Sequence, residues 1–148
     1  MKQKNQNIPA VYLVLIKDNK ILLLRRFNTG FEDGKYSMIA GHVEKGESFT
    51  QSIIREAQEE AGILVRPKNL KFIHFMHRIV HNHEESERVD VFFQVTNWQG
   101  EIVNQEPQKC DDLAWFDLND LPTNTIPYIK QAIERINNGI SYSEFGWS

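Results

Sequence analysis

Residues 48–62 write both ends and the buried face of one helix, and few arrangements of the remaining chain can use it. Ser48 and Gln51 have the S-x-x-Q spacing of a capping box, in which each side chain takes up a free backbone N–H of the first turn. Ile53, Ile54, Ala57 and Ala61 recur at helical spacing and form the apolar stripe. Gly62 suits the left-handed residue that stops a helix. Such a helix must bury its stripe against another layer, and the flanking sequence supplies short apolar strands.

AVYLVLIK (residues 10–17) and KILLLRR (Lys20–Arg26) are separated by Asp18-Asn19 and read as a hairpin of buried strands. FNTGFEDGK has loop chemistry, and YSMIA (36–40) is a brief strand. LKFIHFMHRIV (Leu70–Val80) and ERVDVFFQVTNW (87–98) read as longer strands joined by an exposed NHEESE. A polar loop over 99–112 leads to the strand LAWFDL (113–118). Ile126, Ile129, Ile133 and Ile136 mark a second helix, closed by Asn137-Asn138-Gly139. Residues 1–7 are polar and read as loose. The order predicts an α/β fold with a mixed sheet and a helix packed on each face.

The 148 residues, 41% hydrophobic and 25% charged, fit one globular domain over 1–148. A net charge of −3 gives no basic footprint, which argues against a nucleic-acid polymer and for a small-molecule partner, bridged by a cation if anionic. Cys110 is the only cysteine, so no internal disulfide forms and a reducing compartment fits. MKQKNQNIPA lacks the apolar stretch of a signal peptide, and no apolar run approaches the roughly 18 residues of a membrane span. A cytoplasmic protein without a membrane partner is expected.

On the predicted helix Glu56, Glu59 and Glu60 stand at i, i+3 and i+4, and like charges so placed repel. Acidic residues on helices are most often solvated surface, and Arg55 with Glu59 could be an ordinary i, i+4 pair. Carboxylates massed on one turn are also what a hard cation such as Mg²⁺ needs, since it takes oxygen ligands and shares its shell with phosphates. Arg55 could then pair with a carboxylate and fix its orientation. Gly41 and Gly46 permit a tight loop before the helix.

The joint pattern is Gly41, five residues, Glu47, seven residues, then Arg55-Glu56-Ala57-Gln58-Glu59-Glu60-Ala61-Gly62-Ile63. It resembles the signature of the Nudix hydrolases, G-x5-E-x7-R-E-(aliphatic)-x-E-E-x-G-(aliphatic), at every charged and glycine position. Ala57 is smaller than the usual aliphatic, and Ile39-Ala40 precede Gly41 where many relatives carry L-P-G-G. The resemblance implies a Nudix-type α/β/α sandwich with a central mixed sheet. It also implies Mg²⁺-assisted attack of water on a diphosphate linkage, with Mn²⁺ as an alternative ion. By position, Glu56, Glu59 and Glu60 would hold metal with help from the carbonyl of Ala40 or Gly41. Glu56 would be the first choice of general base, and Arg55 with Glu47 the supporting pair.

Outside the signature, NQEPQKCDDLAWF resembles an E-P-x-K-C stretch of MutT-like nucleotide pyrophosphohydrolases, which would make Glu106 a further metal carboxylate; a solvated loop glutamate is the alternative. Arg26, by position in MutT-like relatives, would clamp a phosphate while Arg25 points outward. Phe27 and Phe31 could stack on a base or cover the sheet edge. The histidines at 74, 77, 81 and 83 fit no zinc spacing, and His77 or Arg78 reads better as a substrate contact. His42, at a free position of the signature, is expected at the surface, and Cys110 as a small buried filler. The expected activity is Mg²⁺-dependent hydrolysis of a nucleoside di- or triphosphate, including oxidised purine forms, to the monophosphate. Its alternatives are another nucleoside diphosphate-X compound (a nucleotide sugar or ADP-ribose), a prenyl diphosphate, or a nucleotide sensor without catalysis. The C-terminal SYSEFGWS could pack on its own domain or on a second copy in a homodimer.

Overall fold

The computed structural model describes residues 3–81 and 85–148; His83, the first two residues and part of the connection expected at 82–87 lie outside the described residues. The strands are β1 (Asn7–Val14), β2 (Ile16–Lys17), β3 (Lys20–Arg26), β4 (Tyr36–Ser37), β5 (Ile39–His42), β6 (Leu70–Val80), β7 (Ser86–Val95), β8 (Cys110–Asp117) and β9 (Tyr142–Phe145). The helices are α1 (Phe49–Ala61) and α2 (Pro127–Asn137). A five-stranded mixed sheet runs β5-β1-β7-β6-β9, with β1–β7 and β6–β9 parallel and the other pairs antiparallel. In the second sheet β3 pairs with β2 and β4 along one edge and with β8 along the other.

Alternation along β1 explains the layers. Val11 and Leu13 face the core under α1, where Ile53, Ala57 and Ala61 pack. Ala10, Tyr12 and Val14 face the opposite core, with Ile129, Ala132 and Ile133 of α2. β3 divides the same way, Leu22 and Leu24 toward α1 and Ile21 and Leu23 toward α2. Each Ile or Leu so buried contributes on the order of 1.5–3 kcal/mol. The expected α/β/α sandwich, a mixed sheet with a helix on each face, is present.

Two strands break where one continuous strand was expected. The hairpin of 10–17 with 20–26 is confined to Ile16–Lys17 opposite Lys20 and Ile21, across a turn in which Asp18 and Asn19 have φ of 54° and 61°. β1 itself stays in the five-stranded sheet between β5 and β7, and the chain passes to the other sheet at Leu15. Residues 36–40 likewise divide at Met38: Tyr36 and Ser37 pair with β3, and Ile39–His42 with β1. Between these paired breaks the two sheets diverge.

The C-terminal segment packs on its own domain. β9 adds parallel to β6, Trp147 Nε1 donates to the His77 carbonyl at 3.1 Å, and Tyr142 stacks on Phe75. Buried His74 ties the segment down: Nδ1 donates to the Ile140 carbonyl at 2.7 Å, and Nε2 accepts from the Ser143 hydroxyl at 2.8 Å. Among the described residues no helix is long and apolar enough to cross a membrane.

Candidate functional site

The start of α1 is built as the capping pattern dictates. Ser48 Oγ accepts from Gln51 N–H at 3.1 Å and Gln51 Oε1 accepts from Ser48 N–H at 2.8 Å. Gly62 ends the helix at φ 70°. These fixed ends set the rotation of α1, and with it the direction of its glutamates.

Arg55 organises them. Its Nε and Nη2 donate to Glu47 at 2.8 and 3.0 Å, a bidentate fork, while Nη1 donates to Glu56 at 2.8 Å and Glu59 at 3.1 Å. Hydrogen bonding to Arg55 holds the Glu47 carboxyl down at about 2. Glu56 is pushed the other way, to about 7, because burial outweighs the pull of Arg55. Glu60 is raised well above the ordinary carboxylate range, first by burial and then by the charge of Glu56. The helix thus grades from exposed Glu59 to enclosed Glu56 and Glu60.

The edge strand β5 closes on this face. Ala40 N–H donates to Glu60 Oε2 at 2.9 Å, so Ala40 presents its amide to the cluster. A side chain at Gly41 would collide with the Glu56 carboxylate, so glycine is what allows this approach. The loop before β8 docks on the other side, with Val103 N–H on the Ala61 carbonyl at 3.0 Å and Gln105 N–H on the Glu60 carbonyl at 3.2 Å. That docking carries Glu106 into the same cavity as Glu56, Glu59 and Glu60.

The cavity measures about 680 Å³ and opens between the diverging sheets. Arg26 lines it, while Arg25 points away and pairs with Asp111 at 2.7 Å. Arg26 is partly committed: Nε donates to the Phe31 carbonyl at 2.6 Å and Nη2 to Thr29 Oγ1 at 3.0 Å, which shapes the loop after β3. Phe31 lines the cavity. Phe27 and His77, expected at the substrate, are not brought there. Phe27 is an exposed loop residue, and His77 lies against Trp147 with ring centroids 4.8 Å apart. Strand alternation is the reason, for it sends His77 to one face of β6 and Arg78 to the cavity face. His42 is exposed, as expected, and its exposed side lines the cavity.

Sequence reasoning left a buried polar cluster on the cavity floor almost unseen. Arg78 pairs with fully buried Asp90, Nε to Oδ2 at 2.7 Å and Nη2 to Oδ1 at 3.3 Å. Tyr12 donates to Asp90 at 3.1 Å and lies 3.0 Å from the Tyr128 hydroxyl. The available signal was an arginine and an aspartate interrupting two otherwise apolar strands at positions that alternation turns inward.

The NUDIX domain family model matches residues 6–136. The chain belongs to the NUDIX family. This NUDIX chain is 34% identical over 114 residues to the NAD-capped RNA hydrolase NudC of Pseudomonas aeruginosa, covering 77% of this chain and 37% of that one. It is 32% identical over 116 residues to the ADP-ribose pyrophosphatase of Methanocaldococcus jannaschii, covering 77% and 65%. It therefore spans less than half the length of the NudC relatives it matches. Its fold superposes on the MutT NUDIX hydrolase from Burkholderia pseudomallei with a TM-score of 0.79 at 25% identity, covering 88% and 98% of the two chains. The resemblance carried by the signature, and the fold it implied, are borne out.

The donor set suits a hard divalent cation. All candidate ligands are carboxylate or backbone oxygens, and two of the carboxyls are driven by crowding and burial toward their neutral form, a tendency a cation would reverse. Among the described residues no three such side chains converge as a ready-made cage. Mg²⁺ does not require one, since it keeps waters and takes phosphate oxygens into its shell.

Proposed function

We propose that this chain hydrolyses the diphosphate linkage of a nucleoside diphosphate joined to another group, with Mg²⁺ as its cation and Mn²⁺ as an alternative. The observation that carries the proposal is the Arg55-braced carboxylate face of α1 standing in a cavity large enough for a nucleotide. Glu56, Glu59, Glu60 and Glu106, with the Ala40 carbonyl, would hold the ion. When bound, it would neutralise phosphate charge and acidify a water nearby.

The protein's own groups supply the remaining chemistry. Glu47 keeps Arg55 in place, and Arg55 in turn fixes the Glu56 and Glu59 carboxylates. Glu56, oriented by Arg55 at 2.8 Å, is the group we assign to take the proton from water. Arg26 and Lys109 line the same cavity, where cations would receive phosphate oxygens.

The relatives' names favour a dinucleotide-like or ADP-ribose-like substrate, and a capped RNA end falls within that chemistry despite the acidic net charge. A nucleoside triphosphate, including an oxidised purine, is the second reading, favoured by the Glu106-Pro107-Gln108-Lys109-Cys110 stretch at the cavity and by the MutT structure on which the fold superposes. We place the reaction in the cytoplasm, within a single domain. The test is release of phosphate, pyrophosphate or nucleoside monophosphate from NAD⁺, ADP-ribose, nucleotide sugars, (d)NTPs, 8-oxo-dGTP and a prenyl diphosphate, with Mg²⁺ or chelator. A Mg²⁺-dependent product from any of the nucleoside diphosphate compounds supports the leading reading. Binding without turnover across the panel would replace it with a nucleotide sensor.

A further inference from the structure

We propose that Arg78 and Arg88 form an anion subsite on the cavity floor, for a phosphate or carboxylate that the substrate carries outside the diphosphate to be cut. The proposal rests on the hydrolase reading for what enters the cavity.

Arg78 and Arg88 are direct cross-strand partners on β6 and β7, and both line the cavity. Like charges placed opposite one another on neighbouring strands repel, so the arrangement calls for a counter-charge. Asp90, two residues along β7 on the same face, supplies one. It is wholly buried, takes both Nε and Nη2 of Arg78, and also accepts from Tyr12. The guanidinium is further held 3.8 Å over the Tyr128 ring. These contacts fix Arg78 rigidly and leave its Nη1 without a hydrogen-bond acceptor among the described residues.

Arg88 finds only neutral acceptors among the described residues: Nε donates to Ser86 Oγ at 2.7 Å and Nη1 to His42 Nε2 at 3.3 Å. On this strand face the described residues therefore set two guanidiniums against one carboxylate. Space for a visitor is provided by Ala10, which lies in register with both His42 and Asp90 and raises only a methyl group between them. A preorganised, partly desolvated pair of guanidiniums is a strong receptor for a phosphate or carboxylate, because the donors are already in place when the anion arrives.

Position separates this subsite from the carboxylate cluster. The glutamates of α1 approach the cavity beside β5, at Ala40 and Gly41. The backbones of β7 and β6 lie two and three strands further across the sheet, about 10 and 14 Å away at ~4.8 Å per strand, with Arg88 reaching back to His42 on β5. Lys109, 3.7 Å from Glu106, and Arg26 line the cavity as well. A diphosphate held at the glutamates would leave the β6–β7 floor to whatever group lies beyond it. A substrate with a second anion there would bridge the cavity.

The test uses matched ligands that differ by one anionic group: ADP-ribose against its 2′-phosphate, and UDP-glucose against UDP-glucuronate. Equilibrium binding is measured by titration calorimetry with Ca²⁺ replacing Mg²⁺, and hydrolysis is followed separately with Mg²⁺. The wild type is expected to bind the anionic member of at least one pair roughly tenfold to a hundredfold more tightly; which pair responds tells phosphate from carboxylate. Arg88→Gln should abolish that preference while leaving affinity for the member without the added anion unchanged, and Arg88→Lys should restore part of it. Arg78→Lys, chosen because removing the charge would strand Asp90, should weaken the preference with the fold intact by circular dichroism. A preference without hydrolysis of any ligand would keep the subsite and overturn the hydrolase reading. Equal affinity within both pairs, a preference that survives Arg88→Gln, or a uniform loss for every ligand would overturn the subsite.

Discussion

At Gly41 the backbone passes so close to the Glu56 carboxylate that a methyl group has no place to go. Gly41→Ala should therefore displace Glu56 rather than unfold the chain. Turnover is expected to fall about 100-fold, as misplacement of a reacting group by ~1 Å does, with an unchanged circular dichroism spectrum. Glu59 is the most exposed of the three helix glutamates and has no role in packing. Glu59→Gln should lower kcat about 100-fold or more at fixed Mg²⁺ and leave the melting temperature with chelator nearly unchanged; an undiminished rate would remove Glu59 from the metal ligands. At this scale the sequence was most readable where the signature resemblance carried the partner over, as for Glu47 with Arg55. It was least readable for Phe27 and His77, whose direction depends on loop shape and strand register. Arg26 shows an intermediate case: its place at the cavity was carried over from MutT-like relatives, whereas its use in holding Thr29 and Phe31 depends on how the following loop folds back.

Helix α1 owes its start to Ser48, whose side chain satisfies an N–H that no residue of the helix can reach. Ser48→Ala should cost about 1 kcal/mol, read as a lower urea midpoint with an unchanged slope. β9 owes its docking to His74, whose ring is neutral because burial lowers its pKa below 6.5. The unfolded chain, with an ordinary histidine, binds the proton first as pH falls. This contribution to stability is therefore full above about 6.5 and is lost progressively below it. Melting curves between pH 8 and 5 should show the wild type losing more stability on acidification than His74→Gln in the same chelator buffer; parallel curves would show that the histidine is not the titrating tie. Both helices and most strands were legible from apolar spacing. β9 was not, since Tyr142–Phe145 is too short and polar to declare itself without β6 beside it.

For the molecule as a whole, the carboxylates of α1 and the loop before β8 make the fold electrostatically unfinished on one side. Ligand charges repel when unshielded, so chelation should lower the melting temperature and Mg²⁺ should raise it in a concentration-dependent way. At 100 times the dissociation constant the gain is about 2.7 kcal/mol; a melting temperature indifferent to Mg²⁺ across the millimolar range would leave no cation site. The sandwich was foreseeable because runs such as VYLVL and ILLL need cover on both faces. The division into two diverging sheets was not, since strand breaks at Leu15 and Met38 carry no glycine or proline to announce them.

The pairing of Ala10 with Asp90 has a temporal side. β1 emerges well before its parallel neighbour β7, about 80 residues further along the chain, so the central ladder cannot close until synthesis has passed Val95. Long-range parallel pairing of this kind slows folding, and an unpaired apolar strand is an invitation to aggregate meanwhile. The nascent chain would thus depend on whatever shelters residues 10–15 during synthesis, and fragments ending before β7 should be insoluble even though they contain the whole of α1 and its glutamates.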